Sequence, residues 1–255
     1  IYYPLSILMM SGIRDILIIT KPSDEKIFYE LLGNGNQFGI NLSYKTQKSP
    51  DGIAQAFIIA EKFLLDHKCA LILGDNIFYG EKFKDLLNKA YKKEKGATVF
   101  SYKVNNPEDY GVIEHKKGKI LSIEEKPQNP KSEQIITGLY FYDEDVVEYA
   151  KSLKPSNRGE LEITDINNIY LKKNLLSFEY MDENYLWIDT GTHDLLLNAG
   201  NIISDLEKQK NQKIYSPEEI GYRQKWLSAN ELNIISDKFK NANYGKYLKK
   251  ILEEN

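Results

Sequence analysis

Two aspartates stand where an apolar run of the sequence meets a glycine-containing turn. Asp75 follows the apolar or small residues 69–73 and Gly74, and Asp189 ends the run YLWID before TGT. Short apolar runs closed by glycine are typical of buried strands, and open α/β sheets bind ligands at the carboxyl ends of strands. Mg²⁺ is usually held by one or two carboxylates together with substrate phosphates. The two aspartates therefore indicate a nucleotide-handling enzyme.

A third polar segment, QKSPDG at residues 47–52, lies between a predicted strand and a predicted helix. Its backbone N–H groups and the amide of Gln47 are able to bind a nucleobase edge through paired donor and acceptor bonds. Serine, proline, aspartate and glycine are also what any turn prefers, so a plain turn remains the alternative.

Two further segments carry charges that suit a sugar phosphate. In EEKP, a glutamate can bind sugar hydroxyls and Lys126 can reach a phosphate, although a solvated strand end has the same composition. In RGELEITD, Arg158 is able to clamp a phosphate bidentately. The alternative there is a surface arginine next to a helix that is capped by Thr164 or Asp165.

Bulk composition restricts the class of protein. The chain has 255 residues, of which 42% are hydrophobic and 28% charged, and its net charge is −3. Such values describe an ordinary globular chain of one domain or one domain with an appendage, and they give no electrostatic footprint for nucleic acid. No run is long enough to span a membrane, and the single cysteine favours a cytoplasmic protein without disulfides.

Strand and helix patterns alternate along the first two thirds of the chain, which indicates parallel strands with helical crossovers. A hairpin around Gly118 adds antiparallel strands, so we expect a mixed sheet that includes the strand ending at Asp189. After that strand the pattern becomes helical, and Ser216 with Pro217 predicts one helix start. We expect a core over residues 1–194 and a C-terminal helical segment over residues 195–255 that packs on it.

Six motifs in this order, LGDN, YGVIE, EEKP, TGLYFYD, RGELEITDIN and WIDTGT, resemble those of bacterial glucose-1-phosphate thymidylyltransferases. The resemblance covers nearly the whole chain. It implies a Rossmann-like, three-layer α/β/α fold with a mixed, mostly parallel central sheet and C-terminal helices. It also implies Mg²⁺, dTTP and glucose 1-phosphate as substrates, dTDP-glucose and pyrophosphate as products, and a place at the start of dTDP-L-rhamnose synthesis.

The same resemblance assigns roles to individual residues. It implies metal binding by Asp75 and Asp189, nucleotide binding by Gln47, Gly52 and Asp75, and phosphate contacts by the catalytic residues Lys126 and Arg158. It places the remaining candidates around the sugar: Asn76, Tyr110, Gly111, Glu125, Tyr140, Thr164 and Trp187.

The reaction implied by the resemblance needs no general base, because the nucleophile is an anionic phosphate oxygen of the sugar 1-phosphate. Catalysis would rest on in-line positioning and on charge neutralisation. The three histidines are scattered without metal-ligand spacing, and His193 is predicted to start a helix. Resemblance further implies a homotetramer and feedback inhibition by dTDP-L-rhamnose.

One departure from the family concerns its glycine-rich loop, which ends in Gly-Thr-Arg and is absent from this sequence. We expect that an N-terminal segment carrying this loop and a central strand is missing, and that the 255-residue chain alone is inactive. Three alternatives stay open: a uridylyltransferase that uses UTP, a non-catalytic sugar-nucleotide sensor, and a glycosyltransferase. The last would need a DxD-type metal pair, which does not follow the predicted strand over residues 97–104.

Overall fold

A computed structural model describes residues 1–254 as an α/β protein. Its strands are β1 (Asp15–Thr20), β2 (Asn41–Thr46), β3 (Cys69–Ile72), β4 (Asn76–Tyr79), β5 (Ala97–Lys103), β6 (Gly111–Lys116), β7 (Lys119–Glu125), β8 (Gln134–Tyr142), β9 (Leu176–Met181) and β10 (Leu186–Asp189). Its helices are α1 (Tyr2–Met10), α2 (Glu25–Leu32), α3 (Gln55–Leu64), α4 (Phe83–Lys92), α5 (Val146–Ser152), α6 (Ile163–Lys172), α7 (His193–Lys210), α8 (Pro217–Arg223), α9 (Ala229–Lys238) and α10 (Asn243–Glu253).

The main sheet is mixed and centres on β8. Strand β8 pairs antiparallel with β5 on one side and with β3 and β6 on the other, while β9 runs parallel to β5. The edge strand β7 pairs antiparallel with β6. Strands β3, β5, β6 and β9 therefore run in one direction and β7 and β8 in the other, which confirms the expected mixed sheet. Among its described pairs, β5 with β9 is parallel and the others are antiparallel.

Alternation along β8 produces the three layers. Ile135, Leu139 and Phe141 are buried on the face that is covered by α4. Ile136 and Tyr140 point to the opposite face, which is covered by α3, α5 and α6. Because successive side chains of a strand point to opposite faces, one apolar strand supplies both halves of the core.

Four strands lie outside the main sheet. Strand β1 pairs parallel with β2, and β4 pairs antiparallel with β10. The expectation that the strand ending at Asp189 completes the main sheet is therefore wrong, because its backbone pairs with β4 instead. Strand β4, which follows directly after Asp75, was not predicted from the sequence.

The C-terminal third is helical, as expected. Helix α7 begins at His193 and is capped by the side chain of Thr192, which accepts a hydrogen bond from the backbone of Leu195. Helix α8 has the predicted Ser216 cap and Pro217 in its first turn. Helices α8, α9 and α10 share a small apolar cluster, and α8 contacts α1. The division of the chain after residue 194 stays a prediction.

A cavity of about 930 Å³ lies between β1 and β3. Every residue of the segments 12–19 and 67–74 lines it, together with residues of α3. Successive side chains of a strand point to opposite faces, so a cavity on one face would contact only every second residue. This cavity therefore lies along the edges of the two strands. Across residues 1–254, no helix has the length and apolar character needed to cross a membrane.

Candidate active site

The antiparallel pairing of β4 with β10 brings the two aspartates together. Asp189 lies opposite Asn76 in the register, and the next residue, Thr190, donates both its backbone N–H and its hydroxyl to the carbonyl of Asp75 at 2.9 Å. Asp75 and Asp189, which are 114 positions apart in the sequence, thus lie at neighbouring ends of two paired strands. Asp189 ends a strand in which Trp187 and Ile188 are buried, as expected. The expectation of a buried strand before Asp75 is wrong, because β3 is only half-buried where it lines the cavity. The proximity of the two aspartates follows from a strand pair that the sequence did not reveal.

The charges of the two aspartates interact. Burial raises the pKa of Asp189, and the nearby charge of Asp75 raises it further, while a hydrogen bond from the Gly191 backbone and the charge of Lys126 oppose the increase. A cation beside the two aspartates would therefore favour the charged form of Asp189. Within residues 1–254 no group of three or more His, Cys, Asp or Glu side chains could hold a metal. Two carboxylates suit Mg²⁺ when phosphate oxygens of a substrate complete its coordination. The two aspartates alone do not make a complete metal site.

Asn76 lies directly behind Asp75 and is only 3% exposed. Its amide nitrogen donates to Asp75 Oδ1 at 2.9 Å. Its Oδ1 accepts hydrogen bonds from the Gly138 backbone at 2.9 Å and from the indole of Trp187 at 2.7 Å. The amide is thus occupied by the protein on both ends, and a direct sugar contact of Asn76 stays a prediction.

Gly138 allows this arrangement because it has no side chain. A Cβ at this position would lie 2.7 Å from Asn76 Oδ1 and 2.8 Å from a side-chain carbon of Leu73. The main sheet therefore approaches Asn76 with its backbone, which leaves the amide of Gly138 free to donate.

Tyr110 and Lys126 connect the aspartates to the rest of the site. Tyr110 lies next to Asp189: burial raises the pKa of Tyr110, and the charge of Asp189 adds to the effect. The Tyr110 ring meets the Trp187 ring edge-on at 5.4 Å. The backbone N–H of Lys126 donates to the Tyr110 carbonyl at 3.0 Å. Lys126 has φ = 41°, a conformation that is uncommon for a residue with a side chain and that is often found at functional sites. This turn ends β7 and keeps the ammonium group close enough to Asp189 to affect its pKa.

Arg158 is surrounded by glutamates. Its guanidinium nitrogens lie 3.5 Å from Glu125, 3.1 Å from Glu160 and 3.8 Å from Glu162. The Arg158 side chain is 41% exposed, while that of Glu162 is only 9% exposed and accepts a hydrogen bond from Ser156. The arginine is therefore held by a buried acid and still open to an anion from solvent.

Four of the sugar candidates form one cluster at the end of the β6–β7 hairpin. Gly111 lies opposite Glu125 in the register, and the hydroxyl of Thr164 donates to Glu125. A Cβ on Gly111 would lie 3.1 Å from the Thr164 hydroxyl. Tyr140 lies nearby in β8 but is 4% exposed; burial raises its pKa, and the charge of Glu125 adds to the effect.

Helix α6 begins at Ile163, with Glu162 as the capping residue, and Thr164 lies in its first turn. The interpretation of Thr164 or Asp165 as the helix cap is therefore wrong. The backbone enters the helix earlier, and this leaves the hydroxyl of Thr164 free to donate to Glu125.

The loop from Gln47 to Gly52 is attached to the Arg158 segment through the backbone. Asp51 accepts a hydrogen bond from the Leu161 backbone at 2.7 Å, and Ala54 donates one back to Leu161 at 3.1 Å. Gly52 has φ = 105°, and a Cβ there would lie 2.3 Å from the Leu161 carbonyl oxygen. Only glycine fits, so the predicted base-reading loop has a fixed position relative to Arg158.

The structure thus links every predicted site residue into one region through strand pairing, the Tyr110–Lys126 turn and the Leu161 backbone. Sequence reasoning missed three residues that hold this region together: Gln55, Glu162 and Thr190. Each lies within three positions of a residue that was predicted, but only the fold shows its bonding partner.

Comparisons with known proteins place this region in a family. A family model described as nucleotidyl transferase matches residues 1–205. The chain is 49% identical to a glucose-1-phosphate thymidylyltransferase of Neisseria meningitidis over all 255 residues, which cover 88% of that protein. It is 46% identical to the enzyme of the same name from Mycobacterium tuberculosis, again over the whole chain and 88% of the relative.

Solved structures agree with the sequence relatives. A glucose-1-phosphate thymidylyltransferase from Bacillus anthracis, in complex with sucrose, superposes with a TM-score of 0.73 at 41% identity and covers 79% of this chain and 81% of that one. A UDP-glucose pyrophosphorylase complexed with UDP-glucose has a TM-score of 0.69 at 22% identity, covering 80% of this chain and 86% of that one. The second likeness shows the shared Rossmann-like fold alone.

Proposed function

The chain belongs to the nucleotidyl transferase family, and we propose that it is an enzyme that transfers the thymidylyl group of dTTP to α-D-glucose 1-phosphate, giving dTDP-glucose and pyrophosphate. The observation that carries the proposal is the pairing of β4 with β10, which sets Asp75 beside Asp189 within reach of Lys126. The names of the relatives, at 46–49% identity over the whole chain, supply the nucleotide and the sugar.

The nucleophile in this reaction is a phosphate oxygen of glucose 1-phosphate, which is anionic at neutral pH. It attacks the α-phosphorus of dTTP, a new P–O bond forms, and the bond from that phosphorus to the bridging oxygen of pyrophosphate breaks. No proton has to leave the nucleophile, so no general base is required. The work that remains for the protein is to align the two phosphates and to balance their negative charge.

Asp75 and Asp189 are the residues that would hold Mg²⁺. When bound, the ion would supply positive charge that offsets the triphosphate and favours the charged form of Asp189. Lys126 contributes a point charge beside Asp189, and its left-handed backbone keeps that charge at the strand end. The closeness of these charged groups supports a role for Asp75, Asp189 and Lys126 in catalysis.

Arg158 is proposed to bind the phosphate of the sugar. In the structure its guanidinium group is balanced by Glu125, Glu160 and Glu162, at distances of 3.1–3.8 Å. A phosphate offers two oxygens in the geometry that a guanidinium fork matches, so it can displace the weaker of these contacts.

The sugar hydroxyls are proposed to lie against the cluster of Gly111, Glu125 and Thr164, with Tyr110 and Trp187 as the pocket wall. Glu125 can accept hydrogen bonds from hydroxyl groups, and the backbone of Gly111 permits close approach. Tyr140 and Asn76 are both less than 5% exposed, so any role they have in sugar binding must act at the back of the pocket.

The nucleobase is proposed to bind the loop of Gln47 and Gly52. No donor from residues 1–254 reaches Gln47 Oε1, and the Gly52 backbone N–H has no acceptor within that range. The acceptor Gln47 Oε1 matches the ring N–H of thymine, and the donor Gly52 N–H matches a thymine carbonyl. Uracil presents the same pair, so a UTP-using enzyme is the alternative within the family.

Two wider features remain predictions from the resemblance: a homotetramer and inhibition by dTDP-L-rhamnose. A cytoplasmic location remains a prediction from the single cysteine. A role at the start of dTDP-L-rhamnose synthesis would follow from the proposed product.

The proposal is tested by pyrophosphate release from full-length protein with glucose 1-phosphate and each of dTTP, UTP, dCTP and dATP. We expect release with dTTP and loss of at least about 100-fold in Asp75→Asn and Asp189→Asn, because each removes a charge beside the phosphates. Asp205→Asn, on the exposed face of α7, is the matched control and should be unchanged. No release with dTTP or UTP while glucose 1-phosphate still binds would contradict an enzyme and favour a sensor.

A further inference from the structure

Four polar side chains form a hydrogen-bonded chain between β2 and α3. Ser49 donates to Asp51 Oδ2 at 2.6 Å, and the amide nitrogen of Gln55 donates to the same oxygen at 2.8 Å. Gln47 then donates through its amide nitrogen to Gln55 Oε1 at 2.7 Å. The base-facing residue Gln47 is thus connected to a carboxylate through one intervening amide.

The carboxylate determines the direction of this chain. An ionised aspartate only accepts hydrogen bonds, so the end of Gln55 that faces Asp51 must be its amide nitrogen. Gln55 therefore presents its oxygen to Gln47, and the end of Gln47 that faces it must be a nitrogen. Hydrogen bonds from Ser49 and Gln55 lower the pKa of Asp51, which keeps it ionised at neutral pH.

A second acceptor fixes the same orientation. The amide nitrogen of Gln47 also donates to the Gly52 carbonyl oxygen at 3.1 Å. Both N–H bonds of Gln47 are then used within the loop, and Oε1 is the atom left for a ligand. An amide alone could offer either end to a base, whereas this one offers an acceptor.

On the basis of the proposed function, we propose that Asp51 and Gln55 are positioning residues. They fix which end of the Gln47 amide faces the base. The site therefore selects pyrimidines that carry a ring N–H and rejects cytosine. Thymine and uracil carry a hydrogen on ring atom N3, which can donate to Gln47 Oε1. Cytosine carries a lone pair on N3, which faces that oxygen without a hydrogen between them. A site built to pair a donor discriminates strongly against an analogue that lacks it, since its own polar group is left unpaired.

Reversing Gln47 to accommodate cytosine would break two hydrogen bonds of the loop, to Gln55 and to Gly52. Asp51→Asn replaces a carboxylate, which only accepts, with an amide that can offer either end to Gln55, so it no longer fixes the orientation of Gln55. Gln55→Leu removes the relay while keeping a similar volume. In both variants the Gly52 carbonyl still accepts from Gln47, so we expect a partial loss of discrimination.

The test measures the dissociation constants of dTTP and dCTP, which share their sugar and triphosphate, for full-length wild type, Asp51→Asn, Gln55→Leu and Ser49→Ala. We expect wild type to prefer dTTP at least tenfold, and the first two variants to reduce this ratio about fivefold, as the loss of one hydrogen bond allows. Ser49→Ala is the matched control, because it removes a bond to Asp51 and leaves the relay intact; its ratio should stay within twofold.

An unchanged ratio in both variants would overturn the proposal, as would an equal loss of affinity for both nucleotides, which indicates a merely structural role. Parallel pyrophosphate assays separate this inference from the proposed function. A ratio that shifts as expected in a protein that releases no pyrophosphate with dTTP would support the relay and contradict the enzyme.

Discussion

Trp187 donates its indole N–H to Asn76 Oδ1 at 2.7 Å, across the pair formed by β10 and β4. The other end of the Asn76 amide donates to Asp75 at 2.9 Å. An aromatic side chain that forms the pocket wall therefore also fixes the orientation of a proposed metal ligand. Partners of this kind commonly affect affinity for the metal, although they never touch it.

Trp187→Phe should weaken metal binding by severalfold while the fold is retained. Phenylalanine keeps an aromatic ring against Tyr110 but cannot donate to Asn76, and one hydrogen bond contributes roughly 1 kcal/mol. Titration with Mn²⁺ in the presence of dTTP, followed by electron paramagnetic resonance, measures the affinity. Trp226→Phe is the control, because Trp226 contacts Arg14 and belongs to a different apolar cluster from Trp187. Equal Mn²⁺ affinities in wild type and Trp187→Phe would contradict this role of the indole.

Asp189→Asn should increase stability at neutral pH in the absence of metal. Burial and the charge of Asp75 raise the pKa of Asp189 in the folded protein, so the folded state binds its proton more tightly than the unfolded state does. Stability contributed by this group is present at low pH and is lost as pH rises from the unfolded pKa through the folded pKa. The amide variant has no such loss.

Urea denaturation of wild type and Asp189→Asn at pH 7 and pH 4 measures this difference. We expect the variant to be the more stable protein at pH 7, with a smaller difference at pH 4. A difference that is larger at pH 4, or a wild type that is more stable at pH 7, would show that the pKa of Asp189 is not raised.

Gly52→Ala should destabilise the protein and separate the base loop from the Arg158 segment. The backbone at φ = 105° disfavours alanine, and the new Cβ would lie 2.3 Å from the Leu161 carbonyl oxygen. Overpacking of this kind costs about 1–3 kcal/mol. Gly200→Ala in α7 has open space around its Cβ and should instead stabilise by roughly 0.5–1 kcal/mol, because alanine favours helix. Equal midpoints in urea for wild type and Gly52→Ala would contradict the close contact.

Arg158→Lys should raise the KM for glucose 1-phosphate about tenfold and change the KM for dTTP little. Lysine keeps the charge but loses the planar fork that matches two phosphate oxygens and reaches three glutamates. Steady-state kinetics with each substrate varied in turn measures the two values. Arg223→Lys, at the ion pair with Glu219 within α8, provides the control. An effect of Arg158→Lys confined to dTTP would assign the arginine to the nucleotide instead.

Local patterns predicted most elements of the fold. The apolar run DILIIT predicts a strand over residues 15–20, which is β1, and the β6–β7 hairpin turns at Gly118 as expected. Strand β4 was missed because it has only four residues after the Gly74–Asp75 turn, and its partner lies more than 100 positions away. Pairing over such a distance depends on tertiary packing, which a local pattern does not encode.

The candidate site was also predicted only in part from the sequence. Residue types and motif order predicted which side chains would gather, including Asp75, Asp189 and Arg158. They did not show that Asn76 turns its amide towards Asp75, because the donor from Trp187 that fixes it belongs to another strand. Hydrogen-bond partners are set by rotamers and register, and these appear only once the fold is assembled.

The most direct test of the central claim uses glucose 1-phosphate whose non-bridging phosphate oxygens carry ¹⁸O. The full-length protein is supplied with this substrate and unlabelled dTTP, and the products are analysed by mass spectrometry. Attack by a sugar-phosphate oxygen on the α-phosphorus predicts that all of the label remains in dTDP-glucose and none enters pyrophosphate. Labelled pyrophosphate, or dTDP-glucose that has lost label, would contradict this reaction.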